Sequence, residues 1–256
     1  MIGFNEQILM GWLSPIFWPF LRVLAVFSVA PIFSSRALPV RIRVALALLV
    51  AWGASGAILN QPVVPLNGPN AIDTTVHEVL VGLSIGFAVR LVFAAAELAG
   101  ELIGLQMGLN FAGFFDPASS TQGSALASFF GQLTALLFIT INGHLLLLMA
   151  VVRSYERIPL GSGVVEMLRQ ARLHEMGAQV FASAFWMALP LTVLLLLANL
   201  ALGIMSRIAP QMNIFAIGFP ITLVTGLGGL ALILPFMDRS LLALLEGALS
   251  RMWFAR

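Results

Sequence analysis

The stretch ELAGELIGLQMGLNFAGFFDP, residues 97–117, gathers carboxylates, a glycine ladder and a phenylalanine cluster in a chain that is otherwise almost wholly apolar. Read as a helix extended upstream to Gly82 and turned by about 100° per residue, the sequence brings Gly86, Arg90, Glu97, Glu101, Gly104 and Gly108 into one stripe about 60° wide. Val92, Ala95, Ala99, Leu102 and Ile103 fall on the other side. Such a helix belongs in a membrane-type bundle, its polar stripe toward protein or water and its apolar side toward lipid or another helix.

Composition says the same of the whole chain. Of 256 residues, 60% are hydrophobic and 9% charged, against roughly 25% charged in soluble domains, and mean hydropathy is +1.00. Long apolar runs joined by short connections leave no room for a soluble module, so the reading is one all-α, polytopic domain over residues 1–256. The positive charges are 13 Arg and no Lys, without the basic patch and interleaved aromatics that nucleic-acid binding needs. The absence of Cys excludes thiolate chemistry and disulfides. The N-terminus, MIGFNEQ, carries no cation ahead of its apolar run, so the first segment is expected to be retained.

Working outward, the first apolar segment covers residues 9–33, with Pro15, Pro19 and Arg22 inside it, and is expected to kink. A loop at 34–43 holds Arg36, Arg41 and Arg43, and a short second segment follows at 44–59. Pro62, Pro65 and Pro69 enforce a loop at 61–70. Asp73, Thr74 and Thr75 suit the start of the third helix, which from 79 to 108 would be about 45 Å long against a hydrocarbon core of about 30 Å. The fourth segment, 125–152, is interrupted at Asn142-Gly143-His144. The connection at 153–177 reads as an amphipathic surface helix, and further segments at 178–205 and 214–236 contain Pro190, Pro220 and Pro235. Residues 34–43, 153–177 and the tail hold ten of the 13 Arg, so all three should be cytoplasmic. Three crossings between the first two would put them on opposite sides. A simple six-span bundle therefore fails, and helices broken at Pro and Gly are expected, buried in protein or lining a cavity.

The opening stretch admits several chemistries. Arg90, Glu97 and Glu101 read as a proton relay or, preferably, as a buried charge cluster that fixes helix register. Gly100, Gly104 and Gly108 are spaced for close helix packing. Met107, Phe111, Phe114 and Phe115 form a bulky knot on a flexible backbone, which would anchor at an interface or seal a channel by dewetting. Gly82-Leu83-Ser84-Ile85-Gly86 matches GxSxG and Gly53-Ala54-Ser55-Gly56 matches GxSG. The first lies in a helix instead of at a strand-to-helix turn, and His77, His144 and His174 are scattered, so neither catalysis nor a metal site is expected.

Residues 207–220, RIAPQMNIFAIGFP, are a distinctive string: Arg207, then Pro210, Gln211, Met212, Asn213 and Phe215, then Gly218 and Pro220. With Pro31-Ile32-Phe33, Pro39 before Arg41, residues 99–117, Asn142-Gly143-His144 and Ser154 before Pro159, the chain resembles, nearly end to end, the FliR family of flagellar type III export-gate proteins and their injectisome counterparts. The resemblance implies a non-enzymatic, cofactor-free subunit of helical hairpins in a helical hetero-oligomeric gate. It also implies FliP-like, FliQ-like and FlhB-like partners, a place in the bacterial inner membrane at the flagellar basal body, and unfolded secreted proteins as cargo. In that family a loop of this subunit helps close the pore. The matching loop is 106–122, which would make Met107, Phe111, Phe114 and Phe115 the plug. The alternatives are a proton-coupled transporter using Glu97 and Glu101, and an intramembrane serine protease.

Overall fold

About two of every three residues before the first proline-rich loop are apolar, and the backbone answers by closing its hydrogen bonds within helices, as lipid or a dry core requires. The computed structural model describes residues 6–56, 64–109, 124–161, 173–211 and 213–254. Helix α1 (Glu6–Val29) carries Pro15 and Pro19 without interruption. Helix α2 (Val40–Ser55) starts directly after Pro39, so Arg41 and Arg43 stand in its first turn and not in the preceding loop. Helix α3 (Ala71–Met107) has 37 residues and is therefore about 55 Å long. Its early threonines bond backwards, Thr74 Oγ1 to Asn70 O at 2.9 Å and Thr75 Oγ1 to Ala71 O at 2.8 Å, so they support the first turn from inside instead of capping it.

After residue 123, Ser124 caps α4 (Ala125–Thr140) by accepting from Ala127 N. The chain breaks at Asn142, whose φ of 57° is left-handed, and resumes as α5 (Gly143–Arg157). Asn tolerates that conformation where most residues do not. Of the expected surface helix over 153–177, residues 153–157 end α5 and the residues from Leu173 belong to α6 (Leu173–Ile208), which includes Pro190, while residues 162–172 lie outside the described residues. Asn213 then caps α7 (Ile214–Ile233) by accepting from Ala216 N. A 3-10 turn at Leu234–Phe236, carrying Pro235, leads into α8 (Met237–Phe254). The breaks thus fall at Asn142 and Pro235, while Pro15, Pro19, Pro190 and Pro220 are absorbed within helices.

Four helical stretches, Gly11–Val29, Ala71–Met107, Gly177–Ile208 and Ala216–Ala248, are long and apolar enough to cross a membrane, and α4 with α5 makes a fifth if the bent pair is one span. Helix α2, with 16 residues, is shorter than the ~20 a span needs. With α4 and α5 taken as one span and α2 left out, two crossings lie between the two arginine-rich stretches, which agrees with the charge count.

The chain forms two compact units, each assembled from separated stretches. Unit 1 takes Met1–Leu91, Asn142–Met176 and Leu245–Arg256. Trp18, Ala54, Tyr155 and Leu160 make one of its apolar clusters, and Trp18 Nε1 donates to Val64 O at 3.0 Å, fastening the loop after α2 to α1. Unit 2 takes Val92–Ile141 and Gly177–Leu244. Its core joins Ile103, Met107 and Phe130 to Leu191, Leu195, Leu230 and Met237.

Candidate functional site

Helix α3 presents glycines wherever another backbone comes close. In unit 1, a Cβ on Gly82 would overlap Arg22 O and Ala25 Cβ of α1, and one on Gly86 would lie 2.8 Å from Val26 O. Both separations are too short for a side chain. The GxSxG pattern is therefore a helix-crossing pattern, and Ser84 Oγ donates to Leu80 O at 2.8 Å within its own helix. Ser55 Oγ likewise donates to Trp52 O at 2.6 Å.

In unit 2, Gly100 meets α4: a Cβ there would stand 2.7 Å from Leu126 O and 2.9 Å from Ala127 Cα. The neighbour of the glycine ladder at this rung is the same chain. Gly104 is buried, and Gly108, with φ of 80°, turns the backbone out of the helix while its N–H reaches Leu105 O at 3.1 Å. A positive φ of this kind suits glycine.

The residues flanking that exit are fixed on both sides. Met107 is fully buried and occupies the space that a side chain at position 226 would need: a Cβ on Gly226 would be 2.5 Å from Met107 Sδ. Thr222 Oγ1, also on α7, lies 3.3 Å from Met107 O, with Gly218 O and Phe219 O as its further acceptors at 3.1 and 3.0 Å. On the return side, Glu101 Oε2 accepts from Ser124 N at 3.2 Å, satisfying an N–H that opens α4. Glu97 packs its carboxylate against Gly131 of α4, where a Cβ would come within 3.1 Å of Oε1. Both ends of segment 110–123 are thus held to unit 2. Phe111, Phe114 and Phe115 lie outside the described residues.

The expected cluster of Arg90, Glu97 and Glu101 is not buried: Arg90 is exposed and both glutamates are half-buried. The physical reason is that each glutamate already has a position on α4 that its backbone and glycines provide. A buried ion pair does exist, elsewhere. In unit 1, Arg22 and Glu78 both have fully buried side chains. Arg22 Nε donates to Glu78 Oε2 at 2.8 Å and Nη2 to Oε1 at 2.7 Å, a bidentate fork. Nη1 donates to Ser154 Oγ at 2.6 Å and Nη2 also to Ile158 O at 3.2 Å. Tyr155 OH donates to Glu78 Oε2 at 2.8 Å, and the Tyr155 ring lies 3.6 Å beneath the guanidinium carbon. His77 Nδ1 stands 3.2 Å from Glu78 Oε1. Since a carboxylate only accepts, Nδ1 carries the proton in this contact. Every lone-pair direction of Glu78 is occupied, which suits a clasp and not a proton carrier. The sequence reading noted Arg22 inside an apolar segment and passed over Glu78. The available signal was that a buried cation requires an anion, but the partner lies 56 residues away and no local spacing points to it.

The 207–220 string forms the turn between α6 and α7. Arg207, Pro210, Gln211 and Pro220 are exposed, Gly218 is half-buried, and Asn213 supplies the α7 cap. Met212 and the Phe215 side chain lie outside the described residues.

Comparison with known proteins bears directly on this arrangement. The model of a family described as bacterial export proteins, family 1, matches residues 13–248. The chain is 40% identical over 237 residues to the flagellar biosynthetic protein FliR of Escherichia coli (strain K12), covering 93% of this chain and 90% of that protein. It is 38% identical over 242 residues to FliR of Pectobacterium carotovorum subsp. carotovorum, with the same coverages of 93% and 90%. Against FliR of Bacillus subtilis (strain 168) it is 29% identical over 205 residues, 79% of each chain.

Proposed function

Because the chain belongs to the bacterial export proteins, family 1, we propose that it helps form and close the pore through which unfolded flagellar proteins leave the cell interior. It is a membrane-type helical subunit of the flagellar export apparatus. In the proposed reading it sits in the bacterial inner membrane at the basal body, among FliP-like, FliQ-like and FlhB-like subunits, and performs no covalent chemistry of its own.

The observation that carries the closing role is the double anchorage of segment 110–123. Met107 and Gly108 leave α3 against α7, and Ser124 returns to the Glu101 carboxylate. A seal made of Phe111, Phe114 and Phe115 needs fixed ends, because an aromatic plug works only if it returns to one place after cargo has passed. Met107, grouped with the plug in the sequence reading, is assigned here to the anchor, since its side chain is fully buried beside Gly226. The packing roles of Gly100 and Gly104 serve the same end. The transporter reading draws no support from Glu97 and Glu101, which are engaged with α4.

The test is the ion leak of the assembled gate. Replacing Phe111, Phe114 and Phe115 together by Ala should raise the leak severalfold while the chain still co-purifies with its partner subunits. An unchanged leak in a fully assembled gate would remove the plug assignment, and a chain that purifies alone, monodisperse and stable would count against the gate itself.

A further inference from the structure

Glu97 lies in unit 2, inside the stretch Ala71–Met107 that is long and apolar enough to cross a membrane. Its half-buried side chain rests on α4, where a Cβ at Gly131 would stand 3.1 Å from Oε1 and 3.3 Å from Cγ. Among the described residues it accepts no hydrogen bond and joins no ion pair. Glu101, one turn on, differs, because it accepts from Ser124 N. The sequence holds no Arg, Lys or His between Arg90 and His144, and Arg90 is about 10 Å of helix rise from Glu97. The carboxylate has touched α4 without finding a charge there.

The seam beneath it carries a second unmet requirement. Thr134 is fully buried, and among the described residues it is the one buried hydroxyl without a partner. A helical Thr commonly bonds to the carbonyl one turn back, as Thr140 Oγ1 does to Leu136 O at 2.9 Å. Thr134 falls on α4 between Gly131, on which Glu97 rests, and Phe138, whose ring meets that of Phe93 of α3 with centroids 5.8 Å apart. Its hydroxyl is therefore held in the α3–α4 seam, on the inner side of Glu97.

The outer side is open. At about 100° per residue, Glu97 is followed around α3 by Leu105, and Gly131 is followed around α4 by Ile139 and Gln132. Leu105 is 55% and Ile139 51% exposed, and Gln132 is exposed as well. The far side of α3, with Ala99 and Ile103, is packed in the core with α6. A carboxylate at the edge of such an apolar face needs a counter-charge at its own depth, which neither an acyl chain nor a purely apolar helix supplies.

We propose that this edge of the α3–α4 pair docks a membrane-spanning helix of another subunit, whose Arg or Lys pairs with Glu97 while Thr134 supplies a donor from within the seam. The pairing takes as given that the chain works inside the export apparatus, and names the chemistry of one contact there.

The experiment uses the full chain in its assembled complex, with a photo-crosslinking amino acid at Gln132 or Ile139 and the products mapped by mass spectrometry. Both positions should cross-link to a helix of another subunit within one turn of an Arg or Lys. E97Q breaks no bond inside the chain and should lower the amount of that subunit co-purified about tenfold. Reversing the mapped basic residue to Glu in the presence of E97R should restore co-purification. Cross-links to lipid alone, cross-links to a helix without a basic residue at that level, full co-purification of E97Q, or a charge swap no better than E97R by itself would each overturn the pairing. A chain found in no complex would overturn the gate reading together with it, whereas lipid-only cross-links in a complete complex overturn the pairing and leave the gate reading standing.

Discussion

Helix α3 is held by two kinds of contact at its two ends, and each would fail in its own way. Within unit 1, its early turns are gripped by the Arg22–Glu78 fork and by the glycine crossing at Gly82 and Gly86. Within unit 2, its last turns are held by apolar packing, with Met107 filling the space over Gly226 and Ile103 in the same core. An ionic clasp away from water is close to all-or-none, because removing one partner leaves the other charge buried and unpaired. Apolar packing fails gradually, by cavity volume and by the fit of each side chain. In the proposed reading, the difference suits a helix that stays fixed at one end and carries at the other a segment that yields to cargo.

The comparison can be broken first at the clasp. Arg22→Ala should cost about 3–5 kcal/mol and sharply reduce the amount of folded chain recovered with its complex, read by detergent-resistant assembly and melting temperature. Replacing both partners, Arg22→Met with Glu78→Leu, should recover much of the loss, because no charge is then left buried alone. If the double variant were as damaged as the single one, the clasp would have a role beyond structure.

Met107→Ala should cost about 2–5 kcal/mol through the cavity it leaves, and the gate should become leaky as well as less stable. Gly226→Leu attacks the same contact from the other side and should cost about 1–3 kcal/mol by overpacking. Leak that rises with either variant ties the anchor to the seal, whereas stability loss with a normal leak would separate them.

Smaller effects sharpen the contrast. Glu101→Ala removes one acceptor from Ser124 N and should cost about 0.5–1.5 kcal/mol, with export retained. Export lost at unchanged stability would revive a proton-coupling role. Ser84→Ala and Ser55→Ala should stay within about 0.5 kcal/mol of the native chain, since both hydroxyls bond only to their own helices.

Much of the helix map was legible in advance because it rests on local rules. Asn142-Gly143 breaks the α4–α5 run, and the glycine at 100 announces the close approach of α4. Pro15, Pro19, Pro190 and Pro220 were misread as breaks. A single proline removes one hydrogen bond, and a long apolar helix supported by neighbours tolerates that loss. Helix α2 was placed four residues late, since arginines look like loop residues until the proline before them is given its weight.

The sequence by itself determined the class of the molecule: long apolar runs with few charges have no soluble solution, and a backbone without water must close its hydrogen bonds in helices. It also supplied the family resemblance through the 97–117 and 207–220 strings. Only the tertiary structure decided which charges pair and which side chains fill which spaces. Arg22 finds Glu78 across 56 residues and Met107 settles over Gly226, pairings that depend on where folded helices cross. The periodicity of a single helix records which faces are apolar or small, and carries no information about which helix will meet them.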